Sequence, residues 1–166
     1  MQAEASGLST IIAGPAPAIH DGCVNSQSWS LHSQLAQDTF QLGDLALSRV
    51  LLANDANYPW LILVPRQPGL TELIDLADSA QAWLMEEIAA AGRALQAVTR
   101  CDKLNIAALG NQVPQLHVHV IARRKNDAAW PKPVWGVMPA IAYEDRAREN
   151  LIAALRTRLK MQAIGG

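Results

Sequence analysis

Two histidines one residue apart, His117 and His119, stand in the segment Gln112-Val113-Pro114-Gln115-Leu116-His117-Val118-His119-Val120-Ile121. The residues between and after them are apolar and rich in β-branched types, as a strand prefers. Successive side chains of a strand point to opposite faces. Leu116, Val118, Val120 and Ala122 then share one face, suited to a core, while Gln115, His117 and His119 share the other. Neighbours on one face recur about every 7 Å, so two imidazoles and an amide look onto a common space. A lone histidine here is most simply polar surface. A His-x-His pair flanked by glutamine and backed by an unbroken apolar face predicts a cleft. Neutral imidazole, with an ordinary pKa of about 6.5, can act there as nucleophile, hydrogen-bond donor or metal ligand.

The charge around this segment points the same way. Arg100, Lys103, Arg123, Arg124 and Lys125 face one acid, Asp102, in a chain whose net charge is −1. Solvated strand ends explain such an excess by themselves. Beside the histidines it predicts an anion site, and phosphate is the natural anion.

The elements that must position these groups can be read from periodicity. Leu47 to Ala53 and Trp60 to Val64 are strand-like runs around the turn formers Asn54-Asp55-Ala56-Asn57, and predict a hairpin. From 71 to 99 the period lengthens. Leu73, Leu76, Ala77, Ala80, Leu84, Ile88, Ala91, Leu95 and Val98 form one face of a long amphipathic helix. Lys103 to Leu109 turns at Gly110-Asn111 into the histidine strand, 116 to 122. A Trp/Pro connection, Trp130 to Gly136, precedes a last helix near 144–161 with Leu151, Ile152, Leu155 and Leu159 on its stripe. Strand pairs separated and closed by helices predict an α+β fold with an antiparallel sheet. Residues 1–28, rich in Ala, Gly, Ser and Pro, read as a loose extension, and 29–166 as a single domain.

Composition bounds the function. A chain of 166 residues with half of them hydrophobic and 17% charged is neither disordered nor generally basic, so nucleic acid is not an expected partner. Apolar runs fall short of a membrane span. Cys23 and Cys101 fit no zinc or disulfide spacing. The first basic residue is Arg49, which excludes the charged start of a signal peptide, and the expected location is the cytoplasm. Trp83 is expected in the core or an interface, and Trp130 and Trp135 either cap the cleft or pack against a second subunit, packing being favoured. Glu86 and Glu87 diverge around their helix and make a poor catalytic pair, and Arg66 is read as a strand end.

The stretch Gln-Val-Pro-Gln-Leu-His-Val-His-Val resembles the signature of the histidine triad superfamily, in which histidines alternate with hydrophobic residues. With Tyr58-Pro59-Trp60-Leu61-Ile62-Leu63-Val64-Pro65-Arg66 and the Trp130 to Gly136 connection, it looks most like a bacterial branch described as diadenosine-tetraphosphate-hydrolase-like. The likeness spans roughly residues 29–136. It implies an α+β fold, a homodimer, no cofactor and a small-molecule nucleotide as partner. It implies that His117 is the nucleophile, that His119 supports the phosphate, and that Asn111, with Gln112 beside it, contacts phosphate. Asn54 falls on the ribose-binding position. Two positions depart from the pattern: Gln115 stands where the first histidine of the triad is found, and Trp60 replaces a histidine common in an earlier strand.

The implied reaction is attack of His117 on the α-phosphorus of a nucleoside phosphate, followed by hydrolysis of a nucleotidyl-histidine. A backbone carbonyl is expected to fix the tautomer of His117. Gln115 cannot titrate, so leaving groups that need no proton, such as polyphosphates, are expected to be preferred over amines. Two rivals are a nucleotide-binding protein with little turnover and a His-x-His metal site completed from His20, Cys23, His32 or Cys101. The latter residues lack supporting spacing.

Overall fold

The expected hairpin forms first in the ordering of the sheet. In the computed structural model, which describes residues 28–161, β2 (Ser48–Ala53) and β3 (Trp60–Pro65) pair antiparallel, with Leu52 opposite Leu61 and Val50 opposite Leu63. A short helix, α1 (Ser33–Asp38), and a strand, β1 (Thr39–Asp44), precede them, and β1 pairs with β2. Then come α2 (Asp78–Thr99), β4 (Lys103–Ala107), β5 (Val118–Arg123) and α3 (Asp145–Leu159). The sheet runs β1-β2-β3-β5-β4 with every neighbour antiparallel, so the histidine strand is interior. The fold is α+β as expected. The extension expected over the first 28 residues lies outside the described residues, Ser28 excepted. Among the described residues no helix is long and apolar enough to cross a membrane.

The main departures from expectation have local reasons. β5 begins at Val118 rather than Leu116 because Pro114 has no N–H to give and the Leu116 N–H donates to the Leu70 carbonyl outside the sheet. α2 begins at Asp78 rather than near 71. The Asp75 carboxylate accepts from the N–H groups of Thr71 and Glu72 and ties that stretch into a 3₁₀ turn, Leu73–Asp75, leaving Leu73 and Ile74 exposed. α1 and β1 were not expected, because residues 33–44 alternate too little to carry a strand period.

The two faces of the sheet bury different things. Val50, Leu52, Leu61, Leu63, Val118, Val120 and Ala122 face the helices and pack with Leu84, Ile88, Ala91 and Leu95 of α2 and Leu155 of α3. The alternation read from the sequence holds. Glu87, unlike exposed Glu86, is buried on this side and accepts from the N–H groups of Leu47 and Ser48 at 2.7 and 3.0 Å, tying α2 to the entry of β2. Burial raises its pKa. The opposite face carries Leu51, Ile62 and Val64 under Leu35, Trp29 and Val113.

Within the basic hairpin, the Arg123 and Arg124 side chains are committed to protein partners. Arg123 is 1% exposed and forms a bidentate pair with Asp127 at 2.7 and 2.9 Å, a further bond to Asn105, and ring contacts with Tyr58 and Trp130. Arg124 donates to the Thr99 carbonyl, and the Lys125 N–H donates to the Asp102 carboxylate. This cluster closes the far end of β5, roughly 20 Å from His117 at about 3.3 Å per residue. Arg123 holds the Asp127 carboxyl below the usual carboxylate range. Its stabilisation is therefore complete above that range and is lost as pH falls through the lowered value. Asp127→Ala leaves a buried guanidinium unpaired, and urea denaturation should show a loss of about 3 kcal/mol.

Candidate functional site

The pleat of β5 and its register with β3 bring the chemistry together. Ile62 pairs with His119, so Trp60 sits diagonally from His119 on the same face. His117 lies just before the strand, and its ring still turns to the same side. The two imidazole centroids are 4.8 Å apart and nearly perpendicular, at 84°. Both side chains are buried, at 6% and 7% exposure.

Each ring has one nitrogen engaged by the protein, in opposite senses. His117 Nδ1 lies 2.7 Å from the Gln115 carbonyl oxygen. A carbonyl only accepts, so Nδ1 carries the hydrogen, and the neutral ring keeps its lone pair on Nε2. This is the backbone restraint expected from the sequence. His119 Nδ1 accepts from the Trp60 indole N–H at 3.0 Å. Neutral His119 must therefore carry its hydrogen on Nε2. Burial, and then the neighbouring His117, push its pKa down to about 4. The pair presents a nucleophilic nitrogen beside a neutral N–H donor.

A cavity of about 450 Å³ opens beside His119, with Trp60, Ile62, Leu35, Trp135 and Asn54 among its walls. That is within the range of small-molecule sites. Trp135, expected to serve packing, stands edge-on to His119 with centroids 5.5 Å apart. Asn54 is held on the rim: its N–H donates to the Asp38 carbonyl and its Oδ1 accepts from the Tyr143 N–H. Asp55, which the sequence reading passed over, also lines the cavity, and its Oδ1 accepts from Asn57 and from the Ile141 N–H. The turn signal around 54–57 marked this loop, but nothing local marked its tie to 139–143. His117 lines a second, much smaller crevice of about 10 Å³ with Thr71, Glu72 and Gly110. Asn111 and Gln112 follow Gly110 on the exposed loop and are not among the residues of the larger cavity.

Gln115 has both ends of its amide engaged. Its Nε2 donates to the Ser30 carbonyl and its Oε1 accepts from the His32 N–H, both at 2.9 Å. The side chain fastens the segment before α1 beside the histidines. Of the residues weighed as metal ligands, His20 and Cys23 lie outside the described residues. Among the described residues no group of three or more His, Cys, Asp or Glu could hold a metal ion.

Comparison with known proteins agrees with the fold. The HIT domain profile matches residues 34–126. A histidine triad protein from Bradyrhizobium japonicum is 61% identical, with a TM-score of 0.79 over 80% of this chain and 98% of that one. Histidine triad proteins from Marinobacter aquaeolei and Sinorhizobium meliloti are 43% and 38% identical, each with a TM-score of 0.78, covering 80% and 81% of this chain and 97% and 99% of theirs. No curated protein matches.

The depressed pKa of His119 has a measurable consequence. An NMR titration should find His119 neutral at pH 6 and midway through protonation only near pH 4. Because the unfolded chain takes up this proton at about 6.5 and the folded chain does not, the linkage term lowers stability as pH falls between those values. A His119 midpoint at or above 6.5 refutes this electrostatic reading.

Proposed function

The chain belongs to the HIT domain family, and from that premise we propose that it is a nucleotide hydrolase or nucleotidyl transferase acting at the α-phosphate of a nucleoside phosphate. The substrate is a dinucleoside polyphosphate or a related nucleotide conjugate. The observation that carries this reading is the pair of opposed tautomers, a lone pair on His117 Nε2 next to an N–H on His119. The nucleoside occupies the 450 Å³ cavity, with Asn54 toward the ribose. Asn111 and Gln112, after the glycine that borders the His117 crevice, contact the phosphate chain.

In this mechanism His117 Nε2 attacks the α-phosphorus and the bond to the leaving group breaks. The leaving group departs with the bonding pair. The new P–N bond makes the ring cationic, with its hydrogen on Nδ1, and the Gln115 carbonyl 2.7 Å away stabilises that charge. His119 donates Nε2–H to a non-bridging oxygen whose charge is held through the transition state. Water then attacks phosphorus, the P–N bond breaks, the nucleoside monophosphate leaves and neutral His117 is restored. The water's surplus proton passes to solvent.

Protein quenched in base during turnover of an adenylylated substrate should carry an acid-labile nucleotide on His117 by mass spectrometry. His117→Ala should carry none and lose on the order of 10³-fold or more in kcat. Full turnover in that variant refutes the assignment, and AMP binding without any adduct or product favours a binding protein.

The glutamine supplies a second check. With both amide ends bonded to Ser30 and His32 and no titratable proton, it leaves the departing group unprotonated. Wild type should therefore cleave a dinucleoside polyphosphate faster than a phosphoramidate, and Gln115→His should narrow that ratio. An unchanged ratio counts against the idea.

A further inference from the structure

Trp60 meets His119 in a way that has only one sense. An indole nitrogen bears a hydrogen and no available lone pair, so it donates and never accepts. A histidine, a serine or a water in that place could exchange roles with an imidazole, and the imidazole could then tautomerise. Trp60 cannot exchange roles. Its Nε1–H lies 3.0 Å from His119 Nδ1, with the rings edge-on at 69°. Trp135 stands on the site as well, 5.5 Å from the His119 ring and 5.6 Å from that of Trp60, edge-on to both. His117 occupies a further flank at 4.8 Å. A ring enclosed by three others has little room to turn over.

We infer that Trp60 is a positioning residue that locks His119 in its Nε2–H tautomer, making it a one-way donor to substrate. Protonation would have to occur at Nδ1, which would set two N–H groups against each other. His119 therefore holds a phosphoryl oxygen but neither receives nor relays a proton. With Gln115 unable to titrate and His119 locked, neither neighbour of His117 can protonate a departing group. The site then suits leaving groups that are stable as anions, namely phosphates released from an anhydride, over amines. This last step rests on the proposed reaction, whereas the tautomer is a property of the free protein.

The test uses the full chain labelled with ¹⁵N. Long-range proton–nitrogen spectra of wild type should show His119 Nδ1 unprotonated and Nε2 protonated. A scalar coupling across the hydrogen bond should link Trp60 Nε1 to His119 Nδ1. In Trp60→Phe the ring should populate both tautomers. The same variant should lose about tenfold in kcat on a dinucleoside polyphosphate, with KM nearly unchanged, less than the 10²–10³-fold typical of removing a donor outright. Nδ1–H in wild type, or an unchanged tautomer in Trp60→Phe, overturns the lock. Should Trp60→Phe fail to fold, presence of the coupling in wild type supports the lock and its absence overturns it. A wild-type chain that shows the tautomer but turns over no nucleotide overturns the proposed reaction and supports the lock.

Discussion

The site depends on which nitrogen of each imidazole the protein keeps for itself. Two neutral histidines side by side are chemically alike until something distinguishes them. Here a carbonyl takes the hydrogen of one and an indole gives its hydrogen to the other. The outward nitrogens then differ: one is a base, the other an acid in the hydrogen-bonding sense. Neither hydrogen-bond partner is a charged group, so the distinction rests on the sense of donor and acceptor. The pairing of β5 with β3 brings Trp60 diagonally against His119, and the chain just before β5 supplies the Gln115 carbonyl for His117.

Gln115 illustrates how a change in one side chain redistributes bonds around the site. A primary amide offers a donor and an acceptor in a fixed plane, which matches a stretch of backbone running past it. Ser30 and His32 supply that backbone. His32 in turn caps α1, its Nδ1 accepting from the Gln34 N–H. The segment before α1 is thereby joined to the histidine loop by side chain and cap together. An imidazole at position 115 has the same two functions but different reach and angle, so it would not hold the same pair of groups.

The central features were legible in the sequence because they depend on period. Alternation from Leu116 to Ala122 identified both faces of β5, and the spacing of Ala80, Leu84, Ile88, Ala91 and Leu95 identified the buried face of α2. What periodicity did not show depended on individual side-chain partners. The basic residues at 100–125 looked like a free positive patch, because a count of charges cannot show Arg123 buried against Asp127 and Asn105. Trp135 looked like packing because its neighbours, His119 and Trp60, are 16 and 75 positions away. The partners of the Gln115 amide lie 83 and 85 residues earlier. Each of these is a specific polar or aromatic contact, the class that periodicity does not encode.

The sheet also separates stability from chemistry by face. Its helix side is almost wholly hydrocarbon, with Glu87 and Ser48 as buried polar residues, and the Glu87 carboxylate accepts from the backbone at the entry of β2. Its other side carries the two imidazoles, the indoles and the cavity. Along β5 the two roles alternate residue by residue: Val118 and Val120 support the core, and His119 between them faces the cleft. A strand anchored through every second side chain can hold the intervening one to within a fraction of an ångström, because interiors are close-packed and rotamers there are restricted. A loop offers no such restraint. The placement of His119 within the strand accordingly gives that N–H donor a stiff support, while His117, at the strand's threshold, is held by the 2.7 Å bond to the Gln115 carbonyl.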